Sequence, residues 1–102
     1  MTCLIWIHPA FGERAQGLAR LAEQLLHNAL GPYPNLHRTA LNLTPVPGGV
    51  AAGCRCRLIV DGAWVKAVVT ADHANPSHAF LRVARQAVQL LADGDGGSAT
   101  AA

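Results

Sequence analysis

The pattern of apolar and polar positions changes several times along the chain, and each pattern predicts one kind of element. Residues 3–7 are all apolar and rich in side chains that favour strands, which predicts a first strand. Apolar positions then recur at helical spacing, with polar residues between them, at Leu18, Leu21, Ala22, Leu25 and Ala29. Gly31 and Pro32 end this amphipathic helix.

Three further strands are predicted in the middle of the chain, over residues 36–44, 54–60 and 63–71. The segment 45–49 contains two prolines and two glycines, a composition that predicts a loop between the first two of these strands. Asp61 and Gly62 separate the last two. Because this dipeptide between alternating runs is typical of a tight turn, we expect a β-hairpin here.

The last predicted element is a second amphipathic helix that begins at Asn75 and Pro76. Asn caps helix N-termini, and Pro fits the first helical position without loss of a hydrogen bond. One apolar stripe follows, formed by Ala79, Phe80, Val83, Ala84, Ala87 and Leu91. Residues 93–102 are small and polar with little to bury, so we expect them to form a disordered tail.

The element order β-α-β-β-β-α predicts an α+β fold in a single domain over residues 1–92. A right-handed crossover through the first helix makes strands one and two parallel, and the remaining strands form an antiparallel meander. We therefore expect a four-stranded mixed sheet with both helices packed on one face, and with Phe80, Val83 and Leu25 buried between them. The other sheet face is left to water or to a partner.

Length, net charge and the N-terminal segment limit the classes of protein to which this chain can belong. A chain of 102 residues is long enough for one hydrophobic core, and its net charge of +2 is too small to indicate a polyanionic partner by itself. The apolar run at the amino terminus has no basic region before it and is too short to span a membrane. We therefore expect a cytoplasmic protein that does not bind membranes.

The distribution of the positive charges is more informative than their sum. Side chains alternate along strands, so Arg55 and Arg57 project from the face opposite to Cys54 and Cys56. The same parity gathers four cations on the open sheet face: Arg38, Arg55, Arg57 and Lys66. Such a cluster is typical of phosphate contacts, whereas the alternative is that strands simply place charges where water is. Arg82 and Arg85 on the last helix form a second basic edge.

Residues that could carry catalysis or hold a metal do not form a recognisable pattern. Cys54 and Cys56 lack the spacing of a structural zinc site, the histidines are scattered, and Asp61 lies in the predicted turn. We therefore predict no enzyme activity, no metal and no cofactor, with Cys54 and Cys56 as buried thiols. A small thiol enzyme that uses these two cysteines is the alternative. Trp64 is either an exposed stacking platform or a half-buried strand residue.

Two segments give the chain a resemblance to a known family. The run from Pro47 to Val50 is followed by Cys54-Arg-Cys-Arg57, and residues 69–84 read Val-Thr-Ala-Asp-His-Ala-Asn-Pro-Ser-His-Ala-Phe-Leu-Arg-Val-Ala. With the element order and the length, these segments resemble the ribosome hibernation factors, the family of hibernation promoting factor and ribosome-associated inhibitor, in its short form. The likeness covers roughly residues 13–92. Ser77 and Leu81 depart from the family pattern at the opening of the last helix.

The resemblance implies a βαβββα domain that takes part in the stress response. Such a domain binds the small ribosomal subunit where messenger and transfer RNA would sit, and so silences translation by idle ribosomes. The six cations above would then contact ribosomal RNA. A protein-interaction or homodimerisation module on the same fold, without RNA affinity, is the alternative, because Val68 and Trp64 are expected on the open face.

Overall fold

The computed structural model describes residues 2–33, 35–63, 66–92 and, for the backbone alone, 97–101. Its strands and helices are β1 (Thr2–Ile7), α1 (Arg14–Leu30), β2 (Leu36–Pro45), β3 (Cys54–Gly62), β4 (Lys66–His73), α2 (Pro76–Ala92) and β5 (Gly97–Ala101). Short 3-10 turns at Pro9–Phe11 and Val50–Ala52 precede α1 and β3.

The sheet has the strand order β1-β2-β3-β4-β5. β1 is parallel to β2, whereas β2, β3 and β4 form an antiparallel meander, so the predicted α+β order and the four-stranded mixed sheet are confirmed. Gly97–Ala101 add a fifth strand parallel to β4, where the sequence led us to expect a disordered tail. Pairing of this strand satisfies backbone groups at the outer edge of β4, which needs no apolar side chains. Residues 93–96 and 102 lie outside the described part of the chain.

The β3–β4 hairpin is confirmed, but its turn is not where the sequence placed it. Asp61 lies within β3 and pairs with Arg38 of β2 and Lys66 of β4, and Gly62 pairs with Leu36. The Ala63 N–H also donates to the Asn35 carbonyl at 3.0 Å, which extends the ladder beyond Asp61. The connection therefore begins after Gly62. Trp64, with both predictions for its side chain, lies outside the described residues.

The predicted opening of α2 is confirmed in detail. The Asn75 side-chain oxygen accepts the Ser77 N–H at 2.9 Å, and the Asn75 carbonyl accepts the Ala79 N–H at 3.1 Å. Pro76 occupies the first helical position and is buried. A strong cap of this kind fixes the direction in which the helix leaves β4. None of the described helices is long and apolar enough to cross a membrane.

The hydrophobic core lies between one face of the sheet and the two helices. Phe80 and Val83 of α2 are buried there as predicted. Leu25 is only partly buried, and the fully buried residues of α1 are instead Ala22, Leu26 and Leu30. Leu25 instead lines a groove between α1 and α2, together with Ala84 and Val88. The buried stripe of α1 is thus rotated relative to the expected one. From the sheet, Leu41, Leu43, Leu58, Val60 and Val69 complete the core.

Candidate nucleic-acid interface

The sheet face that the helices leave uncovered is organised in cross-strand rows. Neighbouring strands place paired residues side by side about 4.8 Å apart, and the side chains of alternate residues share a face. The charged row consists of Thr2, Arg38, Asp61 and Lys66. Next along the strands is the apolar row of Leu4, Ala40, Ile59 and Val68.

Two further rows complete this open face. The tryptophan row consists of Trp6, Asn42, Arg57 and Thr70, and the pair row consists of Thr44, Arg55 and Asp72. Polar and apolar rows therefore follow one another along the strands, so that the open face offers both charge and apolar surface.

All four cations that the sequence placed on the open face are exposed there: Arg38, Arg55, Arg57 and Lys66. They do not form one cluster, because the apolar row separates the charged row from Arg57 and Arg55. The charged row and the tryptophan row are four residues apart along β3, which corresponds to roughly 13 Å. A ligand that contacts both groups must therefore cross the apolar row.

Two carboxylates lie among these cations. Asp72 faces Arg55 across β3 and β4 and accepts two hydrogen bonds from its guanidinium, Nε–Oδ1 at 2.8 Å and Nη2–Oδ2 at 3.0 Å. The hydrogen bond from Arg55 holds the pKa of Asp72 below its usual range, and the same bond raises the pKa of Arg55. Asp61 stands between Arg38 and Lys66 in the charged row. The sequence does not indicate either carboxylate on this face, because Asp61 falls in the predicted turn and the last predicted strand ends at Ala71, before Asp72.

Arg57 is the cation of the open face with the most favourable surroundings for an anion. Among the described residues it has no carboxylate as an ion-pair partner, and its row neighbours are Asn42 and Thr70. A groove of about 460 Å³ runs beside it, lined by Asn42, Thr44, Arg55, Arg57, Val68 and Thr70. The groove therefore combines guanidinium, amide and hydroxyl groups, all of which form hydrogen bonds with phosphate or sugar oxygens.

Trp6 is a candidate site residue that the sequence analysis did not identify. Its side chain lies on the open face and is 50% exposed, as is Leu4 at 51%. The indole meets the His8 ring edge to face at a centroid distance of 5.8 Å, and His8 Nδ1 accepts the Ala10 N–H at 3.0 Å. The sequence does not reveal this exposure, because β1 is apolar on both faces. In the structure, Cys3, Ile5 and Ile7 occupy its inner positions.

Arg82 and Arg85 form a separate surface on α2, which covers the opposite side of the sheet. With His73, His78 and Leu81 they line a groove of about 310 Å³. The two imidazoles pack edge to face at 4.8 Å, and His73 Nδ1 accepts the Asn75 N–H at 2.9 Å, so the neutral form of His73 carries its proton on Nε2. The structure therefore does not bring these two arginines together with the four cations of the open face.

The cysteines do not line either of these grooves. Cys54 and Cys56 are buried as predicted, and the Cys54 thiol donates to the His73 carbonyl at 3.2 Å. Burial raises the pKa of both thiols, which keeps them protonated and poorly nucleophilic. Cys3 is partly buried and its sulfur accepts the Thr39 hydroxyl at 3.2 Å. In the described part of the chain, no group of three or more His, Cys, Asp or Glu residues is arranged to hold a metal ion.

This chain is similar to known proteins in its three-dimensional structure rather than in its sequence. No protein-family model matches the chain, and no curated protein matches its sequence. Among solved structures, it is similar to a ribosomal subunit interface protein from Coxiella burnetii, with 10% identity, a TM-score of 0.75, and coverage of 91% of this chain and 96% of the other. The N-terminal domain of Protein Y from Thermus thermophilus matches with 15% identity, a TM-score of 0.71, and coverage of 89% and 96%. The chain therefore shares the fold of these two proteins.

Proposed function

We propose that this chain is a cytoplasmic, ribosome-associated RNA-binding protein that occupies the small ribosomal subunit and silences translation. The observation that carries this proposal is the likeness of the whole fold, over nearly its full length, to a ribosomal subunit interface protein. The sequence resemblance to the hibernation factors supports the same conclusion independently. Ribosomal RNA is the binding partner within the ribosome, and the action requires no cofactor and no catalysis.

Ribosomal RNA contacts the open face mainly through Arg57, with Arg38 and Lys66 on the far side of the apolar row. A guanidinium donates two parallel hydrogen bonds to a phosphate, so an exposed arginine without a carboxylate partner is well suited to this contact. Arg55 takes a smaller part, because Asp72 already occupies its guanidinium. Arg82 and Arg85 contact RNA at the separate edge formed by α2.

A second candidate function is self-association through the open face. The specific observation in its favour is the apolar row beside Trp6, because Leu4 and Trp6 leave about half of their side-chain surface exposed to water. The dependence of binding on salt concentration distinguishes RNA binding from self-association. Phosphate contacts weaken steeply as the salt concentration rises, whereas apolar association does not.

Sedimentation with ribosomes tests the proposal. The protein is mixed with purified small subunits and run through a sucrose gradient at low and at high salt. We expect the wild type to travel with the subunit at low salt and to be released at high salt, and Arg57→Glu to stay at the top of the gradient. Arg20→Glu is the matched control, because Arg20 is exposed on α1, away from the open face. Absence of the wild type from the subunit fraction at every salt concentration would overturn the proposal.

A further inference from the structure

We propose that the open face binds single-stranded RNA by stacking an unpaired base on Trp6, beside a sugar-phosphate site formed by Asn42 and Arg57. This inference rests on the proposed function, since it specifies which form of RNA the open face accepts. A duplex could satisfy the cations of the face. Only an unpaired base, however, is free to stack on the Trp6 indole.

The tryptophan row provides these three elements in a line. Trp6 pairs with Asn42, and Asn42 pairs with Arg57, so the three side chains project from the same face on adjacent strands. The step from one strand to the next is about 4.8 Å, which places the Arg57 backbone two strands, or roughly 10 Å, from the Trp6 backbone. A base on the indole therefore has an amide beside its edge and a cation beside its backbone.

The indole is exposed and held at the same time. Half of its surface is open to solvent, while the His8 ring packs against it edge to face at 5.8 Å. His8 is itself fixed by the hydrogen bond from Ala10 to its Nδ1 atom. A rigid aromatic platform loses little conformational entropy when a base stacks on it, and every base offers a π-face, so stacking of this kind tolerates different sequences.

Charge complementarity decides between RNA and a second copy of the chain as the occupant. The apolar row is bordered by Arg57 on one side and by Arg38 and Lys66 on the other. With Arg55, these cations outnumber the two carboxylates, Asp61 and Asp72, in the rows of the open face. A second copy placed face to face would bring an equally positive surface against the first, whereas a polyanion neutralises it.

Tryptophan fluorescence provides a direct test. The chain has two tryptophans, so Trp64→Phe leaves Trp6 as the only source of the signal. The probe is a single-stranded RNA of about 12 nucleotides, which is within the usual site size of single-strand-binding surfaces. Its duplex with the complementary strand is the comparison. We expect saturable quenching by the single strand at concentrations where the duplex leaves the fluorescence unchanged. Equal quenching by both RNAs, or quenching by neither, would overturn the inference.

A second variant keeps the test independent of Trp64→Phe. In an otherwise wild-type chain, Trp6→Leu should weaken binding of the labelled single strand by about 5- to 150-fold, the usual effect of losing one stacked base. Trp6→Phe is the matched comparison, because it keeps an aromatic face at the same position. It should retain most of the affinity that Trp6→Leu loses, and circular dichroism checks that both variants are folded. Wild-type affinity in Trp6→Leu would overturn the stacking site.

The outcomes separate this inference from the proposed function. If Trp6→Leu still travels with small subunits and binds the single strand normally while Arg57→Glu does neither, ribosome association stands and stacking is refuted. If Trp6→Leu loses the single strand although the wild type never travels with ribosomes, stacking is supported and the ribosomal target is refuted. If the Trp6 signal instead changes with protein concentration alone, a second copy occupies the face and the inference is overturned.

Discussion

Arg55 and Asp72 face each other across β3 and β4 and form a two-bonded ion pair at 2.8 and 3.0 Å. This pair determines how much of the predicted basic surface is available to a ligand. The sequence places Arg55 and Arg57 as equivalent neighbours on one strand, yet the structure gives the first a carboxylate and leaves the second with Asn42 and Thr70. Arg55 and Arg57 therefore differ in how readily their guanidinium groups can bind a phosphate.

Asp72→Asn should strengthen RNA binding, because it releases the Arg55 guanidinium for a phosphate. The slope of log affinity against log salt should steepen by about 0.7 on a single strand. Filter binding or fluorescence anisotropy over a salt series measures both quantities. Glu23→Gln is the matched control, since Glu23 is an exposed carboxylate on α1. An affinity gain of the same size in both variants would mean that net charge, and not release of Arg55, is responsible.

Phe80→Ala should lower the free energy of unfolding by roughly 3–5 kcal/mol, because the ring is buried between α2 and the sheet and its loss leaves a cavity. Denaturant melts followed by circular dichroism measure the change. The neighbouring Leu81 is 36% exposed, so Leu81→Ala should cost well under half as much. Similar losses at the two positions would contradict the orientation of α2.

The same substitution at two glycines should have opposite effects on stability. A Cβ atom at Gly62 would lie 2.5 Å from the Asn35 carbonyl oxygen, so Gly62→Ala must push β2 and β3 apart, at a cost of about 1–3 kcal/mol. A Cβ atom at Gly17 in α1 meets nothing within 4 Å, so Gly17→Ala should stabilise the helix by about 0.5–1 kcal/mol. Thermal melts of the two variants compare the signs, and stabilisation by Gly62→Ala would refute the close approach of the strands.

Gly62 also illustrates what could and could not be predicted from the sequence. Asp-Gly between alternating runs is a local signal for a hairpin, and the hairpin exists, but the dipeptide does not say that β2 continues its pairing up to Gly62. That extension depends on a backbone contact with Asn35, which is distant in the chain. Its consequence is functional, because it puts Asp61 on the open face between two of the predicted cations.

Local patterns were predicted correctly, whereas some features that depend on pairing between strands were not. The cap at Asn75 and the alternation of Arg55 and Arg57 are local patterns, and both were predicted correctly. β1 is apolar on both faces, so its composition hides the parity that exposes Trp6. β5 consists of small residues whose pairing relies on the backbone of β4, so it leaves no hydrophobic pattern in the sequence.

The three thiols should react at different rates. Cys54 and Cys56 are buried and their pKa values are raised, so at neutral pH they offer little thiolate to a reagent. Cys3 is partly exposed and should be modified first. Timed labelling with a thiol reagent should show one fast group in the native protein and three in denaturant. In Cys3→Ser the fast group should disappear, and its persistence would contradict the burial of the β3 thiols.

The contributions of Arg55 and Arg57 to RNA binding can be separated with variants that remove one guanidinium at a time. Arg57→Gln removes a guanidinium that has no carboxylate partner among the described residues, so it should flatten the salt dependence by about 0.7–0.9 and lower the affinity. The double substitution Arg55→Gln with Asp72→Asn removes a cation and an anion together, so the net charge of the open face is unchanged. Because Asp72 already occupies the Arg55 guanidinium, the double variant should keep the wild-type salt slope. Both variants should remain about as stable as the wild type, since the substituted side chains are exposed and an exposed ion pair adds little to stability. If the double variant instead loses as much slope as Arg57→Gln, Arg55 leaves Asp72 when RNA binds and the ion pair is not a barrier to the contact.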